Sequence, residues 1–158
     1  MDVALDHEQF MTYVLEKAWT EVRAGNRPIF CLVVKCGRIV GQGSNTVARD
    51  SNPSAHGEVN AIRDACSRLA TIDLTGCTLY TPMEPCPMCL ATILEAKVSR
   101  LVLGARHSRV GRKDLGNYSV ESFLALVKRD LDVVPSVREP ECERLRTTWT
   151  HMKEVTGV

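Results

Sequence analysis

No apolar run in this 158-residue chain approaches the ~20 residues that a membrane-spanning helix needs. The opening "MDVALDHEQF" lacks the basic and apolar regions of a secretory leader, so a cytoplasmic location is expected and an exported disulfide scaffold is not. An excess of one charge is also missing: 20 Lys and Arg stand against 19 Asp and Glu, a formal net charge of +1. That balance removes any chain-wide attraction for nucleic acid or a membrane surface and leaves only a local patch open. Repeats, low-complexity tracts and linkers are absent, so one domain over residues 1–158 is expected, long enough to bury a core without staples. Cysteine is not lacking. Seven cysteines, an odd number in a chain without a leader, read as reduced thiols, some of them available as metal ligands.

Helix and strand patterns alternate along the chain. Asp6 is placed to cap a first helix, with Gln9 three positions on and Phe10, Met11, Val14, Ala18 and Val22 at helical spacing. "IFCLVVK" (29–35) and "RIVGQG" (38–43) flank Cys36-Gly37 and predict a hairpin, followed by a polar loop, "SNTVARDSNPS". A helix after Pro53 puts Val59, Ile62, Cys66 and Leu69 on one stripe. Strands at 77–81 and 99–105 bracket a helix over 87–96. A basic loop, a helix near 120–129, a strand near 131–137 and a last helix with Cys142, Leu145, Trp149 and Met152 on one face complete the chain. Helical crossovers return the chain in the same direction, so the second half predicts parallel pairing, and the whole predicts a three-layer α/β/α sandwich.

Two short stretches carry chemistry. In "EPCPMC" (84–89), Cys86 and Cys89 stand three apart at a helix start, where both thiols can face one point and thiolates are favoured. Pro87 suits the first helical turn, which has no use for its N–H. In "SAHGEVNAI" (54–62), His56 also starts a helix after a strand and a loop. Such turns gather at the carboxyl ends of the strands in an α/β sheet. One histidine and two cysteines make three zinc ligands and leave the fourth position for water, which the metal acidifies to a pKa of about 7. Glu58, two residues from the ligand, reaches that water without occupying the metal. Each half has plainer readings: an acidic residue suits the positive end of a helix, and a CxxC serves redox and structural zinc sites as well. In this order, with Pro85 directly before Cys86, they form the H-x-E…P-C-x-x-C pattern of zinc deaminases.

"NPSAHGEVNAIRDAC" and "LYTPMEPCPMCLATI" resemble the two motifs of the cytidine deaminase superfamily, in the branch of guanine deaminases, fungal-type cytosine deaminases and tRNA adenosine deaminases. The likeness runs from about residue 8 to 105 and more loosely to the end. The resemblance implies a central five-stranded mixed sheet and one Zn2+ per chain on His56, Cys86 and Cys89. It implies Glu58 as proton shuttle: hydroxide attacks the ring carbon bearing the amine, Glu58 protonates a ring nitrogen and then the amine, and ammonia departs. It further implies a substrate hydrogen bond from Asn45, a base contact from the Gly57 N–H, and a homodimer, with the apolar stripe Leu90, Ile93 and Leu94 as indirect support.

The chain also departs from that pattern. Phe30 and Cys31 stand where relatives often have a small residue, and Phe30 is core before it is a pocket wall. The end "TTWTHMKEVTGV" does not match the aromatic tail of guanine deaminases, which weighs against guanine. The substrate is thus an aminated heterocycle left open among pyrimidine, purine and amino-triazine, as base or nucleoside. His7 and His151 read as exposed polar residues, as does His107, which is also a second-rank pocket residue. The other five cysteines read as buried or half-buried thiols, and the run 106–113 as a solvated loop. The rival functions are tRNA adenosine deamination through that basic run, a zinc-stabilised module without catalysis, and a thiol redox enzyme.

Overall fold

A computed structural model describes residues 6–157. The elements are α1 (His7–Arg23), β1 (Phe30–Lys35), β2 (Arg38–Ser44), α2 (Val47–Asp50), α3 (Gly57–Leu69), β3 (Cys77–Met83), α4 (Pro87–Glu95), β4 (Arg100–Ala105), α5 (Val120–Val127), β5 (Asp132–Val134) and α6 (Glu139–Thr156). One five-stranded sheet runs in the order β2-β1-β3-β4-β5. β1 pairs antiparallel with both β2 and β3, and β3, β4 and β5 are parallel. This is the expected mixed sheet, with its hairpin first and its crossovers after.

Successive strand residues point to opposite faces, and each face has its own core. Cys31, Val33, Leu79, Leu101 and Leu103 meet α3 and α4 through Ala61, Ile62, Leu90 and Ile93. Leu32, Val34, Tyr80 and Val102 meet α1 and α6 through Met11, Val14, Ala18, Cys142 and Leu145. Every residue of β3 is buried, as a strand covered on both faces must be. The stripe Leu90, Ile93 and Leu94 is consumed in this way: all three are buried within the chain's own fold and offer nothing to a partner.

Several local expectations need correction. The loop after β2 holds a one-turn helix, α2, built around Thr46, whose hydroxyl donates to Asp50 at 2.7 Å. β5 spans three residues rather than 131–137. His7 is half-buried and shares a 2.9 Å hydrogen bond with the Tyr80 hydroxyl. Cys36 is exposed at the hairpin turn, with φ 49°. His107 is only 3% exposed.

The approach of α3 to β2 sets the position of the site. A Cβ on Gly41 would lie 2.5 Å from the Ala61 carbonyl oxygen, and one on Gly43 would lie 2.5 Å from the Ala61 nitrogen. Helix backbone therefore rests on strand backbone, and neither partner is a flexible side chain that could yield. Asn60 locks the same contact from the helix side, donating to Ser44 O at 2.8 Å and to Thr46 Oγ1 at 2.9 Å. Gly43→Ala is expected to cost about 1–3 kcal/mol, the range for overpacking. The check is a urea titration, in which the midpoint falls while the m-value stays constant.

Candidate active site

His56 and Cys86 occupy equivalent places. Each is the N-cap residue of its helix, in extended backbone and with no capping bond from its side chain, so both side chains are free to face the gap between α3 and α4. Cys89 follows one turn into α4. His56 Nδ1 lies 3.7 Å from Cys86 Sγ and 3.5 Å from Cys89 Sγ. Zinc–nitrogen and zinc–sulfur bonds of about 2.05 and 2.3 Å at the tetrahedral angle put N and S about 3.6 Å apart. The donor set therefore fits one zinc ion, and all three donor atoms lie within 4.8 Å of one another.

The electrostatics agree with that use. A hydrogen bond from Cys89 and the nearby His56 ring hold the Cys86 thiol down to about 4, so it is a thiolate ready to bind metal. Cys89 moves the opposite way, first because of its bond to Cys86 and then through burial. Glu58 is 4% exposed, and burial raises its carboxyl above the usual range, which suits a group that must carry a proton. The Thr81 hydroxyl lies 3.2 Å from Glu58 Oε1, and Cys89 Sγ lies 3.5 Å from Oε2. Both oxygens are thus oriented by the walls of the site.

Of the other expected contacts, Asn45 lines the cavity over the metal centre. Its Oδ1 accepts the Val47 N–H at 3.2 Å, so it is a turn residue as well, and its amide N–H2 is the end left for a ligand. Gly57 is the first residue of α3, where a backbone N–H has no partner within the helix. A Cβ there would strike Ile29 Cγ2 at 2.6 Å, so protein packing, not an approaching ring, requires the glycine. Phe30 does not line the cavity; it packs toward α1, its ring 6.4 Å from that of Tyr13, and Ile29 faces the cavity instead. His107 does not line it either. It is buried beside Tyr118, with ring centroids 6.0 Å apart and neither ring nitrogen paired among the described residues.

Glu84 was not singled out in sequence, yet it organises the metal-binding turn. Its carboxylate, 3% exposed, pairs with Arg106 Nη1 at 3.0 Å and accepts the backbone N–H groups of His107 (3.1 Å) and Val120 (3.0 Å). Tyr118 adds a hydrogen bond from its hydroxyl to the Pro85 carbonyl. The run 106–113 is therefore not a solvated loop throughout: Arg106 holds Glu84, and Arg112 reaches the cavity. Arg27, Arg146 and Met83 are further lining residues that carried no motif.

A His-Cys-Cys metal centre with an open side and a buried carboxylate beside it, at strand-to-helix turns of a mixed α/β sheet, defines a zinc-dependent hydrolytic deaminase. The chain belongs to the family described as the cytidine and deoxycytidylate deaminase zinc-binding region, whose model matches residues 5–105. A guanine deaminase of Bacillus subtilis (strain 168) is 40% identical over 105 residues, covering 66% of this chain and 67% of that protein. A tRNA-specific adenosine deaminase of Haemophilus influenzae is 31% identical over 143 residues, 90% of this chain and 82% of that one. The solved structure of a guanine deaminase from Nitrosomonas europaea superposes with a TM-score of 0.83 at 26% identity, over 94% of this chain and 87% of that chain.

Removing Glu84 leaves a mostly buried guanidinium and two buried N–H groups without their acceptor. Glu84→Ala is expected to destabilise the fold by about 3 kcal/mol. Glu121→Ala removes the 57% exposed partner of the same arginine and is expected to cost less than about 1 kcal/mol. Urea midpoints of the two variants, measured side by side, check the contrast.

Proposed function

We propose that the chain removes the exocyclic amine from a small aminated heterocycle of the nucleobase class, as base or nucleoside, with a guanine-type ring first. The observation that carries this reading is the buried Glu58 carboxyl beside a three-donor metal centre that opens into a cavity. The guanine deaminases among its relatives support the choice of ring over the pyrimidine and triazine alternatives. The unmatched C-terminal end remains the argument against it.

Zinc, when bound, supplies a Lewis acid that makes water a nucleophile near neutral pH. The chain's residues do the rest. Glu58 accepts a proton from water at Oε2, the oxygen nearer Cys89, while Thr81 steadies Oε1. The same carboxyl gives that proton to the ring nitrogen, takes the second one from the hydroxyl now bonded to the ring carbon, and passes it to the amine; the C–N bond breaks, the ring carbonyl forms and ammonia leaves. Asn45 holds the ring edge through its free amide N–H2, and the Gly57 N–H takes a ring carbonyl. Ile29 and Met83 give apolar walls to a flat ring. Cys86 and Cys89 must stay reduced to serve as ligands, which favours a reducing compartment such as the cytoplasm. We also retain a homodimer and a single catalytic domain as parts of this reading.

Adenosine deamination in tRNA is the second reading, favoured by the 90% coverage of this chain by a tRNA-specific relative. Ammonia release from guanine, cytosine, adenine, their nucleosides and a tRNA anticodon stem-loop separates the two. Glu58→Gln is expected to lower turnover by about 10²–10⁴-fold or more while the variant still carries one zinc per chain by metal analysis. His56→Ala is expected to lose both zinc and activity. Full turnover by the Glu58 variant would sink the proposed role.

A further inference from the structure

The cavity over the metal centre is ringed by Arg27, Arg112 and Arg146, and it shares Arg27 and Asn45 with a neighbouring groove that adds Arg49 and Lys153. Among the described residues, the only carboxylates lining either space are Glu58, which moves the proton in the reading above, and Glu84, already paired with Arg106. On a chain of net charge +1 this is a local concentration of positive charge at the reaction site. Arg112 has Asp114 as partner at 2.8 Å and Arg49 has Asp50 at 3.0 Å. Arg27 and Arg146 form no ion pair among the described residues.

Arg146 is the informative member. Arg27 is exposed, and water can satisfy it. Arg146 is half-buried on α6, its guanidinium 4.9 Å from the Trp149 ring and in no ion pair among the described residues. Burial works against its charge, and repulsion from Arg112 and Arg27 adds to that. A guanidinium held half-buried beside two other positive charges gains from an anionic partner. The planar fork of a guanidinium matches the oxygens of a phosphate or carboxylate. The space over the metal is small, about 40 Å³, whereas the adjoining groove measures about 490 Å³, the size of a small-molecule site. The groove, with Trp149 in its lining, is the room beside the metal centre for any part of a substrate beyond the reacting ring.

We infer that the ring deaminated here carries an oxyanion, a phosphate ester or a carboxylate, and that Arg146 with Arg27 and Arg112 holds that group at the mouth of the cavity. The inference rests on the deaminase reading above and narrows its substrate. A small anion is favoured over an RNA strand because α6 mixes Glu139, Glu141, Glu143 and Glu154 with Arg144, Arg146 and Lys153 and offers no continuous basic track for an extended phosphate backbone.

The test compares kcat/KM for guanine, guanosine and guanosine 5′-monophosphate, the matching adenine and cytosine series, and pterin against pterin-6-carboxylate, with a tRNA stem-loop as a further arm. The anionic member of one series is expected to exceed its uncharged partner by about tenfold or more, the scale of a charge-assisted contact, and the series that shows it tells phosphate from carboxylate. Arg146→Gln is expected to erase most of that ratio, through KM more than kcat, and added salt to narrow it. Arg27→Gln, at an exposed position, gives the same comparison if Arg146→Gln does not fold. Equal efficiency for charged and uncharged partners, or turnover of the stem-loop alone, overturns the inference while leaving deamination in place. No ammonia from any arm ends the deaminase reading and this inference with it.

Discussion

Helix backbone seated directly on strand backbone, α3 on β2, is the constraint on which the rest of this structure depends. His56 and Glu58 belong to the first turn of that helix. The cysteines belong to the start of α4, thirty residues later, on the same face of the sheet. The 3.5 and 3.7 Å separations between His56 Nδ1 and the two sulfurs exist only if α3 approaches the sheet as closely as Gly41 and Gly43 allow. A side chain at either glycine would lift the histidine away from the thiols, and a three-donor centre has little tolerance for that displacement.

The second helix start is fixed by different means. Here the chain buries a carboxylate, Glu84, and surrounds it with Arg106 and the N–H groups of two residues from later segments. Breaking such a buried arrangement is expensive, although forming it adds little net stability. What it achieves is orientation, because the turn that presents Cys86 is tied to the start of α5 and to the end of β4. One ligand is therefore positioned by close packing and the other two by a polar network.

The fold was legible because its signals were local and strong. Asp6 caps α1, the hairpin brackets Cys36-Gly37, and helix and strand periods alternate cleanly after it. The metal ligands were legible because the H-x-E and P-C-x-x-C stretches each open a helix, and the structure brings His56, Cys86 and Cys89 together. What could not be read was anything that depends on which residues meet across the sheet. Phe30 and Ile29 are neighbours in sequence, and only the strand's facing decides that Ile29 meets the cavity while Phe30 meets α1. His107 has a polar side chain in a basic run, yet the turn after β4 folds it inward. Arg146 lies on a helix of mixed charge and belongs to no motif; the docking of α6 alone brings it to the site.

That docking has a consequence for how such a chain can diversify. α6 meets β4 where Gly104 leaves space for Cys142, whose Sγ would clash with any added Cβ. The helix is thus anchored at one end, while Arg146 and Trp149 lie farther along it. The segment matched by the family model ends at residue 105, and Arg112, Arg146 and Trp149 all follow it. The metal ligands, Glu58 and Arg27 fall inside that segment, whereas Arg112 and Arg146 come from a later stretch. The metal centre is bound by the demands of an ion, whereas the later stretch can be varied along α6 and in the loop after β4 that carries Arg112.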